Sequence, residues 1–386
     1  MAFDSNFYTT AVHAGTEPES VTGAVMTPIF QTSTYVQDSP GVHRGYDYSR
    51  ADNPTRAALE KALAELEGAK HALSFSSGLS AVQAIVQTLE PGDQVIVCDD
   101  VYGGTGRLFR QLFAKYHIEF VFIDLNDMEL VKSSINNKTR MFWVETPTNP
   151  TLKVIDIEAI ASLAKKANAH LVVDNTFPSP AFQKPLLLGA DIVLHSTTKY
   201  IGGHSDLIGG SIMLNDESIF ESLKFIQFAA GSVPSPFESF LILRSIKTLA
   251  VRMVKHESNA IKIADFLQSQ AKVDKVFYPG LPTHQNFEIA KKQMQGFSGM
   301  VSFELKVSNY DEVVKFTKAL KIFQLAESLG GVESLINHPE KMTHASVPEA
   351  LRKKLGIGPN LLRLSVGIES PMDLMDDLKQ AFDQIS

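Results

Sequence analysis

Seven short apolar runs, at 71–75, 94–98, 118–123, 140–144, 170–173, 190–194 and 209–214, dominate the first two thirds of the chain. Segments of helical periodicity separate most of them, as where Leu79, Val82, Ile85, Val86 and Leu89 recur. A run such as 94–98, apolar without polar alternation, suits a strand buried on both faces. The alternation therefore predicts an α/β fold with a mostly parallel sheet covered by helices on both sides. Asn53-Pro54 supplies an N-cap and a first helical position, Leu59, Ala62, Leu63 and Leu66 an apolar stripe, and Gly68 a stop. The residues before this helix break periodicity at 27–35 and 39–41. They read as an arm that buries its apolar side chains against the rest of the protein or another subunit. After about residue 235 the pattern changes. Pro234-Ser235-Pro236 opens a helical stretch to about 269. Strand candidates then fall at 275–278, 300–305, 322–325 and 361–366, and helices at 284–294, 310–319 and 371–384, which predicts a smaller α+β domain. The expected organisation is an arm at 1–53, an α/β domain at 54–235, and a C-terminal α+β domain at 236–386 that includes the linking helix.

The 386 residues suffice for two domains with a substantial core. A net charge of −7 supplies no basic field for nucleic acid. The single cysteine, Cys98, excludes an internal disulfide and suits a reducing compartment. No apolar stretch spans a membrane, and the start at Met1 lacks the regions of a signal peptide, so the cytoplasm is expected. Eleven histidines show no metal-binding spacing, and no P-loop or dinucleotide fingerprint is present. His195 and His204 read as structural neighbours of Lys199.

Ligands of open α/β sheets gather at the carboxyl ends of the strands, and four polar clusters fall there, with Lys199 after the sixth run. Lys199 follows Ser196-Thr197-Thr198 and precedes Gly202 and Gly203. An amine that loses its proton on burial condenses with an aldehyde. Alone it reads more readily as a surface lysine, since most lysines are simply solvated. Ser76-Ser77-Gly78 opens a helix from Leu79 and reads as an anion site or a plain cap. Tyr102, before Gly103 and Gly104, would lie flat on an aromatic ring or simply pack. Glu145-Thr146-Pro147-Thr148-Asn149-Pro150 aims Asn149 or is only a turn. Asp174 ends a buried strand and needs a partner, such as a protonated ring nitrogen, a helix end or a metal. Together these pieces make the inventory of a pyridoxal phosphate site.

Tyr46-Asp47-Tyr48-Ser49-Arg50, Asn53-Pro54-Thr55, Ser77-Gly78, Tyr102-Gly103-Gly104-Thr105, the 145–150 segment, Val173-Asp174-Asn175-Thr176 and Ser196-Thr197-Thr198-Lys199-Tyr200 all match one family, in order, from about residue 8 to the C-terminus. The chain resembles the Cys/Met metabolism family of pyridoxal phosphate enzymes. The resemblance implies the aspartate-aminotransferase-type fold, a pyridoxal 5'-phosphate cofactor on the 54–235 domain, and a homotetramer of two tight dimers with sites shared between chains. It implies that Lys199 forms the internal Schiff base and, once released, removes the Cα proton. Asp174 would pair with the pyridine nitrogen and Tyr102 would stack on the ring. Ser77, Gly78, Leu79, Ser196 and Thr198 would hold the phosphate, joined by Tyr48 and Arg50 of a neighbouring chain. Arg363, in Leu362-Arg363-Leu364-Ser365, resembles the ligand of the substrate α-carboxylate, with Asn149 and Ser328 as helpers. Tyr102 would also act as acid or base if its pKa were lowered.

Within the family, Glu327 resembles the acidic position of γ-lyases and γ-synthases, where bacterial β-lyases look aromatic. Arg107 resembles a distal carboxylate ligand. The loop from Gly103 to Phe113 lacks the cysteine of methionine γ-lyases, and Ala51 stands where some γ-synthases have a second arginine. The segments 233–236 and 342–347 also look like γ-lyases. The expected reaction is γ-elimination of cystathionine to cysteine, 2-oxobutanoate and ammonia, with hydrogen sulfide release from cysteine as a side activity. The alternatives are γ-synthesis from an O-acyl-homoserine and cysteine, and β-cleavage to homocysteine and pyruvate. A cofactor-free lysine enzyme leaves Asp174 and Tyr102 without a purpose, and a regulator lacks a nucleic-acid-binding segment.

Overall fold

The computed structural model describes residues 5–345 and 347–386. Ser346, in one of the γ-lyase-like segments, lies outside them, as do the first four residues. Seven strands follow the predicted runs: β1 (His71–Phe75), β2 (Gln94–Cys98), β3 (Glu119–Ile123), β4 (Thr139–Glu145), β5 (His170–Asp174), β6 (Ile192–His195) and β7 (Gly210–Leu214). They form one sheet in the order β1-β7-β6-β5-β4-β2-β3. Its central pairs are parallel, and only β7 runs against its neighbours, β1 and β6. The apolar runs inside the sheet are buried on both faces, whereas that of the edge strand β3 is only half-buried. Val95, Ile96, Val97, Phe142, Trp143, Leu171, Val172 and Val193 have no exposed surface. Burial at this depth contributes about 1.5–3 kcal/mol for each large aliphatic or aromatic side chain. The chain is thus α/β with a mostly parallel large sheet.

The helix Pro54–Glu67 starts and stops where the sequence predicts. Asn53 Oδ1 accepts the Thr55 amide at 3.0 Å, and Gly68 takes a left-handed conformation at φ 75°. The 236–269 stretch is not one helix. Pro236–Ile246 and Leu249–Gln268 are separated at Lys247–Thr248, where the Thr248 amide and hydroxyl both turn back to the Ser245 carbonyl at 3.1 Å. The break re-aims the second helix so that buried Arg252 donates to the carbonyls of Tyr200, at 2.6 Å, and Ile201, at 3.3 Å. The loop that carries Lys199 is thereby anchored from behind.

A second sheet holds β8 (Val273–Phe277), β9 (Met300–Leu305), β10 (Gln324–Leu325), β11 (Leu335–Asn337) and β12 (Leu361–Ser365), in the order β10-β11-β12-β9-β8. The 322–325 candidate shrinks to two residues. β11 has no counterpart in the sequence reading, because three residues carry no periodicity and pairing with β10 and β12 creates the strand. The arm contains a helix, Ser5–His13, and an isolated bridge between Thr34 and Tyr48. Among the described residues no helix is long and apolar enough to cross a membrane.

Candidate active site

The carboxyl ends of the central strands open on a cavity of about 600 Å³. Every predicted site residue lines it except Tyr48, Arg50 and Arg107. At one end, Ser77 Oγ accepts the Ser80 amide at 3.0 Å and caps the helix Gly78–Val86. Both readings of this segment hold locally, since the cap leaves the amides of Gly78 and Leu79 at a positive helix end lining the cavity. Ser196 approaches so closely that a Cβ on Gly78 would lie 3.1 Å from its own. Thr198 Oγ1 accepts the Gly209 amide at 3.0 Å and donates to the Gly209 carbonyl at 3.2 Å. That hydroxyl must leave the carbonyl before it can donate to a phosphate.

Asp174 closes β5. Its Oδ1 accepts the Thr176 amide at 3.1 Å and the Thr176 hydroxyl at 2.6 Å, while Thr176 Oγ1 accepts the Ser196 amide at 2.9 Å. The carboxyl is thus fixed between two strand ends, and among the described residues no hydrogen bond reaches Oδ2. Burial pushes this acid above the usual carboxylate range, against the pull of Thr176 and the charge of His195. His195 Nε2 lies 3.0 Å from Glu67 Oε2, both fully buried, which is the structural role expected of it.

Lys199 Nζ donates to Ser328 Oγ at 2.7 Å. Burial lowers its pKa to about 8, helped by Arg363 and opposed by Glu327. The loop holding Ser328 lies on the lysine backbone. Gly330 sits at φ 78°, and a Cβ there would be 2.6 Å from the Tyr200 nitrogen, so the close approach requires glycine. Arg363, 1% exposed in the middle of β12, donates through Nη1 to Asn149 Oδ1 at 2.7 Å and through Nη2 to the Ser328 carbonyl at 2.9 Å. Its buried Nε has no partner among the described residues. Burial lowers the guanidinium to about 10, so it remains a cation at neutral pH. Asn149 is held in turn by His344, whose Nε2 donates to the Asn149 carbonyl at 3.1 Å.

The Tyr102 amide donates to Glu145 Oε2 at 2.8 Å. The ring folds back over its own loop, and a Cβ on Gly104 would lie 2.4 Å from it. The lowered pKa that would let Tyr102 act as a base is not found, because partial burial pushes the phenol up rather than down. The phenol stays protonated at neutral pH. The sequence reading gave no role to Thr176 or Glu145. The signal available was their place beside Asp174, one two residues on and the other ending the neighbouring strand run.

The three outlying residues form two groups. The Arg50 guanidinium lies 5.5 Å from the Tyr48 ring centroid on the arm and 4.9 Å from that of Phe228 in the helix Glu217–Ala230, and neither Tyr48 nor Arg50 lines this cavity. Arg107 ends the short helix Gly103–Arg107 with its side chain exposed. It does not line the cavity, but its charge acts on the Tyr102 phenol that does. Among the described residues no group of His, Cys, Asp or Glu is arranged to hold a metal.

The donor set fits pyridoxal phosphate on three counts. Asp174 offers an unbonded carboxyl oxygen for a ring nitrogen, Lys199 an amine that sheds its proton near pH 8, and the Gly78 helix end with Ser196 a seat for an anion. The comparisons agree. Residues 8–383 match the family described as Cys/Met metabolism PLP-dependent enzyme. A cystathionine beta-lyase of Coxiella burnetii is 51% identical over 98% of both chains. A cystathionine gamma-lyase of Dictyostelium discoideum is 53% identical over 97% of both. The solved structure of a cystathionine gamma synthase from Xanthomonas oryzae pv. oryzae, in complex with cystathionine, superposes with a TM-score of 0.96 at 44% identity, covering 98% of each chain.

Proposed function

Since the chain belongs to the Cys/Met metabolism family of PLP-dependent enzymes, a carbon–sulfur lyase family in which three cystathionine reactions occur among its relatives, we propose that it cleaves cystathionine by γ-elimination to cysteine, 2-oxobutanoate and ammonia. The observation that carries this reading is Glu327. It lines the cavity beside Ser328, the residue that holds the Lys199 amine, so a carboxylate faces the space where the far half of the substrate would lie. A carboxylate there attracts the distal ammonium of cystathionine.

Pyridoxal phosphate, when bound, supplies an aldehyde for the substrate amine and a ring that takes up the electrons left at Cα. The residues of the chain do the rest. Arg363 takes the α-carboxylate through two parallel hydrogen bonds, with Asn149 and Ser328 fixing the plane of the guanidinium. Lys199, desolvated and held by Ser328, would take the Cα proton, hand that proton on to the cofactor-bound substrate and, as a neutral amine again, take a proton from Cβ as the γ-sulfur departs. Tyr102 would stack on the ring and, being protonated, would give a proton to the departing sulfur. Asp174 would pair with the ring nitrogen and keep a proton on it. Ser77, Gly78, Leu79, Ser196 and Thr198 bind the phosphate. Tyr48 and Arg50 complete that seat in a neighbouring copy, within a tetramer built from two dimers and working in the cytoplasm. Their position off this cavity supports the shared arrangement, and the exposed Arg107, whose charge acts on Tyr102, would take the distal carboxylate.

Product analysis with cystathionine is the test, with O-acyl-homoserine plus cysteine run beside it. 2-Oxobutanoate and cysteine are expected. Pyruvate and homocysteine as the main products would replace γ- by β-cleavage, and faster cystathionine formation from the acyl ester would make the chain a synthase.

A further inference from the structure

The carboxyl end of the large sheet carries a second acid, Glu145, to which neither the cofactor nor the substrate has a claim. It closes β4, is 5% exposed and lines the cavity. Its Cα is paired in register with that of Asp174, one parallel strand spacing or about 4.8 Å away. Its Oε2 accepts the Tyr102 amide at 2.8 Å, and it opens the 145–150 turn that carries Asn149. Asn149 in turn holds Arg363 Nη1 at 2.7 Å. One side chain therefore ties the loop bearing the ring-stacking tyrosine to the turn that orients the carboxylate-binding arginine.

The charge on Glu145 follows from what faces it. Asp174 faces it from β5, Asp100 and the Cys98 thiol from the end of β2, Tyr102 from the following loop, and Arg363 from β12. Arg363 is the cation in this set, and its Nη atoms are already bonded to Asn149 and the Ser328 carbonyl. Two ionised carboxyls one strand apart at a cavity wall repel strongly, so one of them keeps a proton. Asp174 is the less buried of the two and takes two donors from Thr176. Burial, with the charge of Asp174, pushes the Glu145 carboxyl well up.

We propose that Glu145 is a positioning residue that couples Tyr102 to the Asn149–Arg363 clamp, and that it does so as a neutral acid, leaving the negative charge at this sheet end on Asp174. The proposal rests on the cofactor but not on the choice between γ- and β-cleavage.

The test uses Glu145→Gln, Glu145→Asp and Glu145→Ala. Each apoprotein is titrated with pyridoxal phosphate, the visible band of the reconstituted protein is followed with pH, and kcat and KM for cystathionine are measured separately. Gln keeps the size and the acceptor and mimics a neutral acid. It is expected to hold cofactor Kd and kcat/KM within about threefold of wild type, with the band's pH midpoint unmoved. Asp and Ala withdraw the acceptor from the Tyr102 amide and are expected to weaken cofactor binding about tenfold and to raise KM. A Gln midpoint displaced by about one pH unit or more would show that Glu145 carries charge and overturn the neutral-acid assignment. Asp protein indistinguishable from wild type would overturn the positioning role, and this arm stands even if Ala fails to fold. Wild-type protein without a visible band would refute the cofactor assignment itself. Wild type with a band but no γ-cleavage would refute only the reaction, and the band would still report on Glu145.

Discussion

Replacing Lys199 by methionine should make the apoprotein more stable at neutral pH. The buried amine has a pKa of about 8 in the folded chain against 10.5 when freely solvated. The folded state therefore holds the proton less tightly than the unfolded state, and the strain of burying the cation is fully present below pH 8. It is relieved as pH rises from about 8 to 10.5, so wild-type stability climbs through that window. At 1.36 kcal/mol per pH unit, the penalty is about 3 kcal/mol at pH 7 and about 1.4 kcal/mol at pH 9.5. Methionine fills a similar volume without charge, but strands the Ser328 hydroxyl bonded at 2.7 Å, a loss of about 1 kcal/mol. The net expectation is a gain of about 2 kcal/mol for Lys199→Met at pH 7, shrinking almost to nothing at pH 9.5. Urea unfolding of both apoproteins, at one protein concentration and both pH values, measures it. A methionine variant no more stable than wild type at pH 7, or a difference that grows with pH, would refute the reasoning. Lys199 would then be an ordinary solvated amine.

Three further outcomes follow from the same geometry. Arg363→Lys keeps the charge but loses the two-pronged grip on Asn149 and Ser328, and should raise KM for cystathionine by about a hundredfold with a smaller fall in kcat, read by steady-state kinetics. Glu327→Tyr should move the product ratio from 2-oxobutanoate towards pyruvate, and an unchanged ratio would remove Glu327 as the discriminator. Arg50→Ala should weaken cofactor retention, and subunit exchange with Lys199→Ala protein should restore part of the activity through hybrid sites. No recovery on mixing would count against a phosphate seat shared between chains.

The local pattern of residues determined a good deal about this protein. Apolar runs bounded by turns specify strands, so the seven strands of the large sheet are legible, and with them the strand ends where Ser77, Tyr102, Asn149, Asp174 and Lys199 gather. Caps such as Asn53 and Gly68 are equally local, because each acts within one helical turn. What spans distance was not legible in any local pattern, and only the family resemblance paired Arg363 with Asn149 and Ser328. Arg363 meets Asn149 across 214 residues and Lys199 meets Ser328 across 129, and no period in the chain encodes such a pairing. The three-residue β11 and the break at Lys247–Thr248 exist because neighbouring elements hold them there. The protonation states of Lys199, Tyr102 and Glu145 are likewise set by burial and by charges brought from other strands, so they belong to the assembled sheet. The sequence by itself named the chemical groups and the wall they stand on. Only the tertiary structure decided which of them touch, and which carry a proton, because desolvation and hydrogen bonding depend on packing between segments far apart in the chain.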